Sequence, residues 1–260
     1  MAKRQNRPPG ERMAAEPRFR ICHADDAIVV VDKPPGLTTM RHAEEAAEFG
    51  PRGRRFLPTT LADLLPDALA KHEGRAAGRV RPVHRLDKET SGLVVFARTR
   101  EAESHLGIQF RQHTVERTYL ALVRGSIADQ RIESWLVDDR GDHRRGSGPQ
   151  SPKAKRAVTH VRVLETIPGY ALVECRLETG RTHQVRIHLG EAGAPLCGER
   201  VYDRPIHGKP MPDRSGAERI ALHAATLGLE HPRTGQFLRW QAPLPEDLGE
   251  LWKELRRYAR

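Results

Sequence analysis

The apolar residues of this chain come in short runs that stop abruptly. Ala27–Val31 and Leu93–Ala97 are five residues each, and the first runs straight into Asp32-Lys33-Pro34-Pro35-Gly36. Such runs suit strands closed by turns. They fall far short of the ~18 apolar residues that a membrane-spanning helix needs. The pattern recurs: Tyr119–Val123 is stopped by Arg124-Gly125, Val158–Leu164 and Ala171–Leu177 flank Pro168-Gly169, and Leu227/Leu229 and Phe237/Trp240 flank His231-Pro232-Arg233-Thr234-Gly235. Helical spacing is confined to a few places. Leu61, Leu64, Leu65, Ala68 and Leu69 follow Thr59/Thr60, with Pro66 expected to end or restart the helix. Thr99 caps a second helix, with Glu101 and Glu103 in its first turn and Ala102, Leu106 and Phe110 on one face. Leu248, Leu251, Trp252 and Leu255 form the apolar stripe of a third. Many short strands, few helices and no strand–helix alternation predict an α+β fold with a central mixed, mostly antiparallel β-sheet flanked by helices and loops.

A length of 260 residues fits one large domain or two small ones, and no internal repeat divides it. With 38% of its residues apolar the chain has material for a core, which excludes disorder throughout. Lys and Arg number 44 against 34 Asp and Glu, a formal net charge of +10. That excess suits a polyanionic partner, although basic proteins without one are common. Residues 1–18 carry Lys3, Arg4, Arg7, Arg12 and Arg18 around Pro8-Pro9-Gly10 and read as a flexible basic tail with no secretory core segment. A soluble, cytoplasmic protein is expected. Cys22, Cys175 and Cys197 are odd in number and form no CxxC pair, so they read as small buried hydrophobes rather than disulfides or zinc ligands.

Three segments hold more polar residues than folding requires. The first, Arg81 to Gly92, sets Asp87 among Arg81, Arg85 and Lys88 just before a buried strand; a solvated loop with surface ion pairs is the plainer reading. The second, Thr179 to Leu189, is ambiguous in period: Val185, Ile187 and Leu189 alternate as in a strand, while Val185 and Leu189 also suit a helix capped by Thr182. His183 and His188 are five apart, which fits a metal site poorly on either element. The third is Arg117-Thr118 leading into Tyr119–Val123, where Tyr119 either joins the core or stacks on a base.

Together these segments resemble a known family. His84-Arg85-Leu86-Asp87-Lys88-Glu89-Thr90-Ser91-Gly92-Leu93 is similar to the catalytic motif of the RluA family of pseudouridine synthases. Thr118–Val123 resembles that family's tyrosine segment and Gly180–Leu189 its arginine segment. Val30–Leu37, Leu196–Tyr202 and Leu222-His223-Ala224 match further landmarks, in order, from about residue 21 to 244. The resemblance implies a single catalytic domain over 21–260 that isomerises uridine in structured ribosomal or transfer RNA, as a monomer, with no cofactor, metal or membrane. It implies Asp87 as the catalytic aspartate, Tyr119 as the residue stacked on the flipped uracil, and Arg181 as the ion-pair partner of Asp87. His84, Arg85, Leu86 and Arg186 are the implied substrate-binding set, with Arg85 helping to hold the nucleotide out of its helix.

Many relatives carry a small accessory RNA-binding domain before the catalytic one; here about 20 residues precede the first strand, too few for it. Residues 41–79 and 139–156 look like variable family segments. The tail and Arg144, Arg145, Lys153, Lys155 and Arg156 are expected to grip RNA around the target. Two other classes compete: a catalytically inactive RNA-binding module, and a metal-dependent nuclease built on His84, Asp87, His183 and His188.

Overall fold

The computed structural model describes residues 19–41, 57–206 and 208–258; the basic tail over 1–18 and the 42–56 part of the variable segment lie outside them. Eleven strands among the described residues form one sheet: β1 (Arg20–Ala24), β2 (Ile28–Lys33), β3 (Arg81–Pro82), β4 (Ser91–Ala97), β5 (Glu116–Arg124), β6 (Gln130–Val137), β7 (Gly146–Gly148), β8 (Lys155–Ile167), β9 (Tyr170–Leu177), β10 (Leu222–Glu230) and β11 (Phe237–Gln241). Their order is β1-β2-β4-β10-β5-β9-β8-β6-β7, with β3 paired to β4 and β11 to β10. Every pairing is antiparallel except β4 with β10. The fold is therefore α+β with a mixed, mostly antiparallel sheet.

Helices cover the sheet, which explains why the central strands are apolar on both faces. Ile28, Val30, Leu93 and Val95 pack with Ala102 and Leu106 of α2 (Arg100–Gln112). The intervening Val29, Val31, Val94 and Phe96 pack with Leu61, Leu65 and Leu69 of α1 (Leu61–Glu73). Further along the sheet, α3 (Gln184–Glu191) buries Val185 and Leu189 against Ala121, Val123 and Val173. There α4 (Glu246–Tyr258) lays Leu248, Leu251, Trp252 and Leu255 against Leu122 and Leu172.

Two expectations are corrected, for Pro66 and for Cys22. Pro66 sits within α1 and neither ends nor restarts it. The helix tolerates the lost hydrogen bond because Thr60 and Asp63 form a capping box and three leucines are fully buried. The variable 139–156 segment holds β7, paired with Trp135–Val137, and the start of β8 at Lys155. Strand β1 lies at 20–24, where no apolar run announces it. Cys175 and Cys197 are buried as expected, but Cys22 is only partly so.

The single parallel contact joins the two halves of the sheet. Gly92 lies opposite Ala224, and a Cβ at position 92 would fall 2.3 Å from the Ala224 carbonyl oxygen. Gly92 also has φ +113, so both the close approach and the backbone require glycine. Immediately before it runs the loop that carries Asp87.

Lys33 holds that loop from beneath. It is fully buried, and its ammonium donates to the carbonyls of Pro34, Leu37 and Lys88 at 2.8, 2.9 and 3.1 Å. Burial pushes its pKa down to about 7, against the pull of the Glu89 and Asp87 charges. Replacing Lys33 by Met orphans three carbonyls, each such loss costing about 1–3 kcal/mol, and removes a tether of the Asp87 loop. Relief of a buried charge offsets part of this, so Lys33→Met should lose about 2–4 kcal/mol in denaturant unfolding.

Candidate active site

A cleft of about 530 Å³ opens between the Asp87 loop, α2, β5 and the start of α3, lined by Asp87, Tyr119, Arg181, His183 and Arg186 among others. Asp87 reaches it from a loop fixed almost wholly by backbone contacts. Thr39 Oγ1 donates to the Leu86 carbonyl at 3.0 Å and accepts the Leu86 N–H at 3.2 Å. Gly36 N–H donates to the Lys88 carbonyl at 2.9 Å, and Thr90 N–H to the Asp87 carbonyl at 3.1 Å. The carboxylate is thus presented without being needed to hold its own loop.

The cation facing Asp87 is Arg186, not Arg181. Arg186 Nη1 stands 3.4 Å from Asp87 Oδ2, while its Nε and Nη2 grip the two oxygens of Glu199 at 2.7 and 3.0 Å. Arg181 instead donates through Nε to the Arg156 carbonyl at 3.0 Å, and its N–H to Gln184 Oε1 at 3.0 Å. The cause is where the helix begins. α3 starts at Gln184 with His183, not Thr182, as its N-cap, so Arg186 falls in the first turn facing Asp87 while Arg181 remains on the preceding turn against β8.

Glu199 is 1% exposed at its side chain. Burial alone would raise its pKa; the Arg186 hydrogen bond and charge, with the N–H groups of Val201 and Tyr202, outweigh this and hold it below the usual carboxylate range. Arg186, also buried, is held above its ordinary value by Glu199 and Asp87 despite desolvation. Its guanidinium also lies over Tyr202, 5.2 Å from the ring centroid. His183 completes the arrangement: Nε2 is 3.7 Å from Asp87 Oδ1, and Nδ1 is 2.8 Å from the Tyr202 hydroxyl. It has φ 58, an unfavourable backbone for a residue with a Cβ, located at the site itself. Burial, then the Arg186 and Arg145 charges, lower its pKa against the pull of Asp87.

Tyr119 stands on β5 opposite Ala224 of β10 and Cys175 of β9, packing against core residues on both sides of the cleft. Burial pushes its phenol up to about 12, so the hydroxyl stays protonated at neutral pH. Arg85 is exposed at the cleft margin. Leu86 and His84 line the cleft and are also anchored in the fold. Leu86 is 3% exposed and belongs to the core beneath α1. His84 stacks on Phe110 at 4.6 Å and its Nε2 accepts the Val95 N–H at 3.1 Å.

His188 lies inside the protein, bonded to Thr159 at 2.9 Å and Ser134 at 3.1 Å, so the four residues of the nuclease reading do not converge. Burial pushes His188 down to about 4; burial and then Arg117 push His84 to about 3, both below the ordinary 6.5. Their neutral state is therefore built into the fold. This contribution is whole above pH 6.5 and is lost as the pH falls through these folded-state values, because the unfolded chain takes up the protons first. The melting temperature of the wild type should fall more steeply between pH 6.5 and 4 than that of His188→Asn; parallel curves would contradict the assignment.

Asp87, Tyr119 and the Arg186–Glu199 pair place a carboxylate, a phenol and a fixed cation around one nucleotide-sized cleft. Residues 27–191 match the RNA pseudouridylate synthase family, and the chain belongs to that family. It is 39% identical over 245 residues to the ribosomal large subunit pseudouridine synthase D of Nitrosomonas europaea, with 92% of this chain and 65% of that protein covered. It is 38% identical over 251 residues to the uncharacterized RNA pseudouridine synthase YlyB of Bacillus subtilis, covering 94% and 75%. The chain thus spans just under two thirds of the first of these relatives. Among solved structures it resembles human RNA pseudouridylate synthase domain containing 4, with a TM-score of 0.71 and 25% identity over 91% of this chain and 92% of that one.

Proposed function

We propose that this protein isomerises uridine to pseudouridine in RNA. The observation that carries the reading is the Asp87 carboxylate held opposite Tyr119 in a cleft of a chain with this family's fold. In the reaction the bond from the ribose C1′ to N1 of uracil breaks and the base turns. A bond from C1′ to C5 then forms, and C5 loses its proton. Breaking and remaking a bond at C1′ calls for a carboxylate at the sugar, which is the role of Asp87. Turning the base requires a pocket that keeps hold of it, and the Tyr119 ring supplies one wall. The Tyr119 hydroxyl assists the proton transfer that ends the reaction. Arg186, fixed by Glu199, positions the Asp87 carboxylate. Extruding the nucleotide costs a few kcal/mol, returned by stacking and backbone contacts, and Arg85 at the margin helps hold the nucleotide out of its helix.

The names of the relatives make large-subunit ribosomal RNA the first substrate to test, with transfer RNA the alternative. The protein is read as a cytoplasmic monomer needing no cofactor; no helix among the described residues is long and apolar enough to cross a membrane. Cations of the 144–156 segment are expected to aid RNA binding, although several also serve the fold: Arg145 pairs with Asp138 at 2.6 Å and Arg156 with Glu133 at 2.5 Å. Mapping pseudouridines in ribosomal and transfer RNA from cells with and without this protein tests the reading. At least one site should disappear with the protein and return with the wild-type gene but not with Asp87→Asn. Identical maps would favour an inactive RNA-binding module.

A further inference from the structure

Arg117 is a charged residue of the cleft that the proposed chemistry leaves unused. It lies on β5 two residues before Tyr119, so both side chains leave the strand on the same face, and both line the cleft. The residue is 8% exposed, and its Nε and Nη2 are buried with no hydrogen-bond partner among the described residues. Its position is tightly defined nonetheless. The guanidinium carbon lies 5.7 Å from the centroid of the Phe110 ring, and Nη1 fills the space beside Gly180, 2.1 Å from where a Cβ would fall. A side chain at position 180 would have to displace this guanidinium. Arg181 lies near it and adds repulsion between like charges to the cost of burial.

A buried cation without a partner is expensive, and removing it usually costs a fold nothing. A cation clamped in place but unpaired fits a site that receives its counter-charge from a ligand. The Nε–Nη2 edge of a guanidinium is the pair of donors that matches two oxygens of a phosphate.

We propose that Arg117 receives a phosphodiester of the RNA, the one adjoining the target nucleotide, so that the backbone is anchored beside Tyr119 while the base turns. This rests on the RNA-modifying function proposed above. Arg117 is then a positioning residue: it fixes the nucleotide and takes no part in bond making. Its charge is neutralised only in the complex.

The test measures binding in the Asp87→Asn background, where no turnover intervenes. The probe is a stem-loop containing the uridine identified by mapping, with single linkages around it replaced in turn by uncharged methylphosphonate. One linkage adjoining the target should cost the parent about tenfold in affinity, the range of a hydrogen bond to a charged group. Arg117→Met should already have lost about tenfold on unmodified RNA and lose nothing more at that linkage. Arg117→Lys should recover part of the loss. The Met variant should also melt at or above the temperature of the parent, because an uncompensated charge has left the interior. Equal penalties in both proteins at every linkage, or unchanged affinity of Arg117→Met, would overturn the proposal, as would a lowered melting temperature with affinity intact, which marks a structural brace. If the parent itself binds no RNA, the RNA-modifying reading falls, and the phosphate site with it.

Discussion

Asp87→Asn abolishes product formation while RNA binding stays close to that of the wild type. The substitution preserves shape and removes the charge. The loop does not depend on that charge, since Thr39, Gly36 and Lys33 hold it through the backbone of Leu86 and Lys88. Arg186 keeps its two hydrogen bonds to Glu199, so the cleft retains its walls. What disappears is the negative charge beside the ribose, required both when the glycosidic bond breaks and when C1′ is bonded again. In the proposed reaction Asp87 acts directly at the sugar, so its loss should lower the single-turnover rate by at least about 10³-fold. Affinity, which comes from cations and stacking, should shift by less than about threefold. Product formation at more than a few per cent of the wild-type rate would remove Asp87 from the centre of the account.

Arg186→Met loses both turnover and stability, whereas Arg181→Met loses little of either. Arg186 joins two carboxylates, one that lines the cleft and one that is almost wholly buried. Its removal leaves Glu199 with backbone donors from Arg200, Val201 and Tyr202 but no counter-charge. Stranding one partner of a buried pair typically costs about 3–5 kcal/mol. Arg186→Lys should rescue poorly, because an ammonium cannot serve Glu199 through two parallel bonds while also facing Asp87. The double variant Arg186→Met/Glu199→Gln separates the two effects: stability should largely return, and turnover should not, because Asp87 is still unpositioned. Arg181 bonds the Arg156 carbonyl at a partly exposed site, so its loss should alter stability by about 0.5 kcal/mol or less. Comparable damage from both arginine variants would contradict the assignment of Arg186 as the positioning cation.

The contrast between these arginines shows where the sequence stopped being informative. The two apolar runs at 27–31 and 93–97 revealed the central strands, and the helix caps at Thr60 and Thr99 were legible from spacing. Asp87 and Tyr119 were singled out from contiguous motifs, and the fold brings both to one cleft. Which arginine faces Asp87 was not legible, since Arg181 and Arg186 are five apart and only the start of α3 at Gln184 decides between them. His84 and Leu86 line the cleft and are also held by the fold, through contacts with Phe110, Val95 and Thr39 that come from distant segments. Glu199 was part of a recognised landmark, yet its pairing with Arg186 depends on tertiary approach. Arg117 stood out only as part of the polar pair leading into Tyr119, because an unpaired buried charge is visible only when every neighbour is known. Its one local sign was Gly180, a glycine with no turn conformation to justify it.

Release of the hydrogen from C5 tests the central claim most directly. Bonding C1′ to C5 displaces that hydrogen, so RNA carrying tritium at C5 of uridine must give up its label to water once for every pseudouridine formed. The account predicts release by the wild-type protein without added metal or cofactor, in an amount equal to the pseudouridine recovered, and none above background from Asp87→Asn. Tight binding of that RNA by the wild-type protein with no release of tritium from any ribosomal or transfer RNA would contradict it.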